Sequence, residues 1–406
     1  MKKRIIPITA IMAIMLTSCG GTKAWSWSDA SSDGVLKYCL LIGQTDHNDS
    51  AARTGGIREA LHTRPTATTN ANTEKPIEGE ITLNGKTYKV QEIEHAEQKN
   101  NAGATWDQQT ATSTAETWIN KHGNDIDFFV SNNDGMAEGA IGASNWIEGM
   151  PIFGYDSNNS TLDLINQGKI MGTINQNASA QVAGIFMLAR NCIDGVENPI
   201  QEGFTTTSSN GYGKISSEYN YNEENHSMLV NNFAITKDNV NQYLNKSASD
   251  LVDENVSKGT TASKEIFLDY YNNNDTFLNS NMKPLFNIYK DKFNFSFNEV
   301  AGDSNSEASV MDRLIKKYDG YCINMVKTTA ASSYLDKIYE LHGSPSEKID
   351  APVIFWNRQP TQESGVVNAD VMKDNRFSNI YYVGFDAIQG GKLQGQMIVD
   401  FLLAQK

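Results

Sequence analysis

The sequence predicts an α/β protein of two lobes, each a mostly parallel sheet flanked by helices, hinged around a central cleft. Three observations carry this expectation. Short apolar runs alternate with helical patterns along most of the chain, as in consecutive βα units. The 406 residues exceed what a single core usually supports, which favours two lobes. A weak internal duplication also repeats strand, polar tip, helix, strand, polar tip. It runs through 127–134 and 150–156, and again through 351–357 and 382–386.

Strands are expected at 38–42, 88–93, 126–131, 151–155, 170–174, 264–269, 293–299, 320–326, 352–356 and 380–385. Amphipathic helices lie between them. Val182, Ile185, Phe186, Ala189 and Ile193 keep the three-to-four spacing of a buried face, as do Leu393, Met397, Ile398, Phe401 and Leu402. Asn84-Gly85 between 81–83 and 87–90 predicts a hairpin. Residues 63–80 and 196–227 are polar and read as surface loops, and 246–263 reads as a solvated linker.

The N-terminus carries Lys2, Lys3 and Arg4, then an apolar run from Ile5 to Leu16 too short to span a bilayer. Leu16-Thr17-Ser18-Cys19-Gly20 follows and resembles a bacterial lipobox, whose cysteine is acylated and becomes the new N-terminus. Residues 1–18 are therefore expected to be a lipoprotein signal peptide. Cys19 is the lipidation site, and 19–32 a tether holding an extracytoplasmic protein to a membrane. The net charge of −14 argues against nucleic-acid binding. Cys39, Cys192 and Cys322 lie in or beside apolar runs with no metal spacing, and read as buried small hydrophobes.

In open α/β sheets ligands bind beyond the carboxyl ends of the strands, and here those tips are rich in Asp and Asn. His47, Asp49 and Arg53 follow 38–42, with Asp49 and Arg53 spaced to share one helix face. That pair is equally readable as a capping carboxylate with an i,i+4 salt bridge. Asn133, Asp156, Asn175 and Asp275 follow their own strands, and each taken singly is equally a helix cap or turn residue. Carboxylates and amides suit paired hydroxyls, and aromatic faces suit the apolar face of a pyranose, so the mixture points to a sugar.

These segments resemble the periplasmic galactose/glucose-binding proteins of bacterial sugar ABC importers, a type I periplasmic-binding fold with two Rossmann-like lobes. The family's GHPDAEAR-like segment is matched by 46–53, its MWDTAQA by 105–111 and its ANNDAMAMGA by 131–140. PVFGVD is matched by 151–156 and GTVLND by 172–176. IYKYDDNF is matched by 269–277, PVVFFNKEP by 352–360 and YVGTD by 382–386. The resemblance implies that His47, Asp49, Arg53, Asn133, Asp156, Asn175, Asp275 and Asn357 hydrogen-bond one hexopyranose, D-glucose and/or D-galactose. It implies that Trp106 and Phe277 sandwich the ring. An ABC permease is the implied partner of a monomeric receptor, with docking on a chemoreceptor or sensor kinase as the alternative. No nucleophile motif or metal constellation suggests an enzyme.

The order of the segments departs from the family, and the chain resembles a circular permutant. The first lobe is then 33–172 plus 236–250, the second 173–235 plus 264–406, with 251–263 as the linker between them. The family's calcium loop falls at 29–37. Asp29 and Asp33 remain, but Lys37 stands where an amide ligand belongs, and an ammonium cannot coordinate a cation. No tight calcium and no other cofactor are expected.

Overall fold

The computed structural model describes residues 24–65, 70–200, 219–252, 262–272, 274–301 and 306–405. The leader and Cys19 lie outside them, as does most of the 251–263 linker.

The described chain starts with one helical turn, α1 (Trp27–Ala30), then β1 (Val35–Ile42), α2 (Asn48–Ala60) and the hairpin β2 (Gly79–Leu83) and β3 (Lys86–Glu97). Next come α3 (Gln108–His122), β4 (Phe128–Ser131), α4 (Asp134–Ile141), β5 (Ile152–Phe153), α5 (Asn159–Asn166) and β6 (Gly172–Asn175). The path continues through α6 (Ala178–Ile193), β7 (Tyr219–Asn222), β8 (Ser227–Val230), β9 (Phe233–Thr236) and α7 (Ala248–Leu251). The last part holds β10 (Lys264–Tyr270), α8 (Lys283–Phe293), β11 (Phe295–Ala301), α9 (Glu307–Met311), β12 (Gly320–Ile323) and α10 (Ala331–Leu341). It ends with β13 (Val353–Trp356), α11 (Ala369–Met372), β14 (Ile380–Phe385) and α12 (Ala387–Ala404).

Two sheets result, ordered β2-β3-β1-β4-β5-β6-β9 and β11-β10-β12-β13-β14-β8-β7. Every pairing is parallel except β2/β3, β6/β9 and β7/β8. The expected two-lobed α/β architecture is what the chain adopts.

Alternation along β1 explains how both faces of the first sheet are covered. Leu36, Tyr38, Leu40 and Ile42 pack with Ile57 and Leu61 of α2 and Ile398 and Leu402 of α12. Cys39 and Leu41 point the other way, onto Trp118, Ile119 and Met136 of α3 and α4. A strand buried on both faces reads as the unbroken apolar run seen in the sequence. α2 and α12 meet at glycines: a Cβ on Gly56 would lie 2.1 Å from the Gly391 carbonyl carbon. The second sheet has its own core around Phe186, Phe286, Tyr270 and Trp356. The three cysteines are free and buried.

Four expectations need correction. The C-terminal helix, assigned to the second lobe, packs on α2 of the first, because its apolar face matches the even-numbered side of β1. Residues 219–222, taken as loop, are a strand whose Tyr219 is buried against α6, its ring close to Gly184. The polar stretch 63–80 is anchored where it is described. Buried Arg58 donates to the Ala71 carbonyl and to Glu92, and Arg64 pairs with Glu74 at 3.0 Å. The tether stops short of Trp25, whose N–H donates to the Glu148 carbonyl at 2.8 Å, while Trp27 packs on Tyr88.

Arg58 and Glu92 form an ion pair with no exposed side-chain surface. Removing one member leaves an uncompensated buried charge. Arg58→Ala is therefore expected to cost about 3–5 kcal/mol, read as a lowered urea midpoint of the first unfolding transition. A midpoint equal to wild type would contradict the pairing.

Candidate functional site

Besides the connection from β9 to β10, the chain passes between lobes from β6 to α6, from β8 to β9, and from β14 to α12. The strand tips on either side of these crossovers face each other, and the cavity between them collects polar residues from both lobes. His47, Asp49, Arg53, Trp106, Asn133, Asp156 and Gln176 come from the first lobe, and Tyr271, Asp275, Phe277, Asn357 and Arg358 from the second. Its volume is about 40 Å³, and it shares six of these residues with an outer cleft of about 640 Å³. The inner space alone holds little more than a water.

Helix termini aim most of the first-lobe donors and acceptors. His47 caps α2, its Nδ1 accepting the Asp49 N–H at 3.2 Å, which leaves Nε2–H as a donor. Burial, then the charges of Arg358 and Arg53, hold this imidazole well below its ordinary range, so it is neutral. Asn133 caps α4 through its Oδ1, 2.9 Å from Met136 N, which leaves its Nδ2 free to donate. Trp106 has φ +60° and lies flat on Gly43, where any Cβ would meet the ring at 2.1 Å. His47 meets the indole edge-on at 5.8 Å.

Arg53 organises the floor. Nη1 donates to the Asn132 carbonyl at 2.6 Å and lies 3.5 Å from Asp156 Oδ1. The guanidinium lies over Tyr155, 3.6 Å from the ring centre. The i,i+4 salt bridge with Asp49 does not form; Arg53 reaches across to Asp156 instead. Burial raises the Asp49 carboxyl to about 6 although Arg53 and Arg358 oppose the shift. Burial likewise lifts Asp156 well above the usual carboxylate range, against Arg53. Asp156 also sits at φ +122°, a strained value for a non-glycine residue. On the opposite lobe Asp275 accepts the Leu278 N–H at 2.8 Å and the Tyr271 hydroxyl, and Asn357 adopts φ +58°.

Two buried atoms here have no hydrogen-bond partner among the described residues: Arg53 Nε, a donor, and Gln176 Oε1, an acceptor. Burying them unpaired is costly, and a hydroxyl, both donor and acceptor, is a group that can serve each.

Nine of the ten expected residues line this cavity, and Asn175 does not. It faces a separate cavity of about 240 Å³, where its Nδ2 donates to Ser157 Oγ at 2.7 Å. Successive residues of β6 point to opposite sides, so the neighbouring Gln176 takes the inward place and donates to Asp156. The family motif GTVLND carries its amide four residues after the glycine, which already corresponds to Gln176. Tyr271 and Arg358 were also missed. Arg358 stood next to Asn357 with no spacing pattern of its own, and Tyr271 read as part of a turn.

Family models described as periplasmic binding protein domain match residues 9–197 and 263–331. A stretch of 169 residues is 28% identical to the D-galactose/methyl-galactoside binding periplasmic protein MglB of Haemophilus influenzae, covering 41% of this chain and 43% of that protein. The chain thus spans less than half of that relative's length. Among solved structures, a carbohydrate transporter from Acidothermus cellulolyticus in complex with myo-inositol aligns over 91% of this chain and 88% of its own, at 7% identity and TM-score 0.46. A solute binding protein from Agrobacterium vitis with bound D-fucose aligns over 91% and 90%, at 10% identity and TM-score 0.45.

The raised carboxyl of Asp49 gives a pH prediction for ligand binding. A carboxylate that accepts ligand hydroxyls is needed ionised, so binding below pH 6 must first remove a proton. Affinity for a polyhydroxylated ligand such as D-galactose is expected to weaken on acidification below pH 6, by about tenfold per unit from Asp49 alone, measured by calorimetry from pH 4.5 to 8. Affinity that rises on acidification would contradict the role of Asp49 as an ionised acceptor.

Proposed function

We propose that this chain, with periplasmic-binding-protein matches in both lobes, is an extracytoplasmic receptor that takes one hexose into the interlobe cavity and delivers it to an ABC importer. D-galactose and D-glucose are the proposed ligands. The observation that carries this is the joint presence, in one cavity shared by both lobes, of three carboxylates, two arginines, three amides and a tryptophan ring held on Gly43. The protein binds its solute and releases it unchanged; it is no enzyme. Ligand contacts from two lobes favour the closed over the open form, and the closed form is what a permease distinguishes.

The leader and Cys19 support a lipid anchor, which keeps the receptor outside the cytoplasm and beside the membrane. The calcium loop of the resembling family is proposed to hold no tight calcium here, since the Lys37 ammonium pairs with Asp33 at 2.9 Å. The receptor is proposed to act as a monomer.

Circular permutation is part of the same proposal. Asn84 Nδ2 donates to the Leu403 carbonyl at 2.9 Å, and Trp27, Leu83 and Gln405 border one surface depression. The two ends of the described chain therefore meet on one lobe, and α12 ends beside the sheet that holds β1. Cutting within 253–261 and joining residue 406 to about residue 24 by a short flexible linker should preserve folding and hexose affinity. A folded but sugar-blind product would refute the lobe order.

Titration calorimetry against a panel of monosaccharides tests the function. D-galactose or D-glucose is expected to bind more tightly than any pentose, and Asp156→Ala to lose about one to two decades of affinity. No hexose binding, or an Asp156→Ala affinity within twofold of wild type, would overturn the assignment.

A further inference from the structure

The two lobes present the same arrangement of side chains to the cavity from opposite sides. In the first lobe the Arg53 guanidinium lies 3.6 Å over the ring centre of Tyr155, with Nη1 donating to a backbone carbonyl at 2.6 Å and Asp156 beside it. In the second lobe the Arg358 guanidinium lies 3.5 Å over Tyr271, with Nη1 donating to the Val326 carbonyl at 2.6 Å. The Tyr271 hydroxyl donates in turn to Asp275. Both arginines are at least 95% buried, at 4% and 5% exposure. A guanidinium stacked on an aromatic face keeps its edge free for hydrogen bonding and loses little further entropy when it makes a bond.

We infer that Arg358 is a second sugar-contacting arginine, bonding a hydroxyl of the bound hexose from the second lobe as Arg53 does from the first. This rests on the hexose reading above. Arg358 lines both the inner cavity and the outer cleft, so it stands where a ring seated on Trp106 presents its outward hydroxyls. No ion pair joins it to Asp49 or Asp275 among the described residues, so its charge is not consumed within the protein. Its field nonetheless reaches His47 and Asp49 on the facing lobe, lowering the proton affinity of both. A hydroxyl held between Arg358 and Asp49 would donate to the carboxylate and accept from the guanidinium, a charge-assisted pair on one oxygen. Such a contact exists only when the lobes approach, so it contributes to closure as well as to affinity.

The alternative is that Arg358 only supports Tyr271 and Asp275, and a double-mutant cycle between protein and sugar separates the two. Calorimetry on the full chain compares wild type, Arg358→Lys and Arg358→Met with D-galactose, D-glucose and the series of monodeoxy hexoses. Arg358→Met is expected to bind the parent hexose 10- to 100-fold more weakly, with Arg358→Lys in between. For the one deoxy sugar lacking the contacted hydroxyl, all three proteins should bind within about threefold of one another. An equal penalty across every deoxy sugar would overturn the contact and leave Arg358 a supporting residue. Unchanged affinity for the parent hexose in folded Arg358→Met would overturn it outright. Wild type that binds no hexose would overturn the hexose reading and this contact together.

Discussion

The site depends on a buried guanidinium that is held by three neighbours and left with one unpaired donor, Nε. Arg53 cannot be solvated where it lies, so it is compensated by the Asn132 carbonyl, the Asp156 carboxylate and the face of Tyr155. Tyr155 is fixed from behind: its hydroxyl donates to Asn232 at 3.2 Å and rests where a Cβ on Gly390 would lie. Asn232 belongs to the β8–β9 crossover and donates to the Asp386 carbonyl at 2.7 Å and to Gln389 at 2.8 Å, in the β14–α12 crossover. One chain of contacts thus runs from the cavity floor to two of the crossovers between the lobes.

That connection gives a physical route from ligand to lobe geometry. A sugar hydroxyl that satisfies Arg53 Nε removes an unpaired buried donor, and Gln176 Oε1 gains a donor in the same event. The opposing lobe lines the same cavity with Asp275, Asn357 and Phe277. On the proposed function, affinity and closure would draw on the same interactions, and a ligand would shift the population toward the closed form by its differential affinity for it.

Much of the fold was legible because its periodicity was strong. The ten expected strands correspond to β1, β3–β6 and β10–β14, and the Asn84-Gly85 hairpin forms with Asn84 at φ +51°. The missed strands β7, β8 and β9 are four residues each and sit among polar residues, so period-two alternation had too little length to show. The lobe of the C-terminal helix was not legible either, since its apolar stripe fits any sheet face and only the glycine contacts with α2 select one. Nine of the ten site residues expected from the motif matches line the cavity between the lobes. The tenth failed by one register, and in a strand one register turns a side chain to the other face. Tyr155 and Asn232 carried no motif, because their contacts join crossovers that only the tertiary structure brings together.

The central claim is that a hexose lies between the lobes with its ring on Trp106 and its hydroxyls on the Arg53 floor. A crystal structure of the protein grown with D-galactose tests it most directly. The account predicts one pyranose enclosed by both lobes, stacked on Trp106, with oxygens within hydrogen-bond distance of Arg53, Asp156 and Asp275. A hexose bound on one lobe only, or seated in the 240 Å³ cavity beside Asn175, would contradict it.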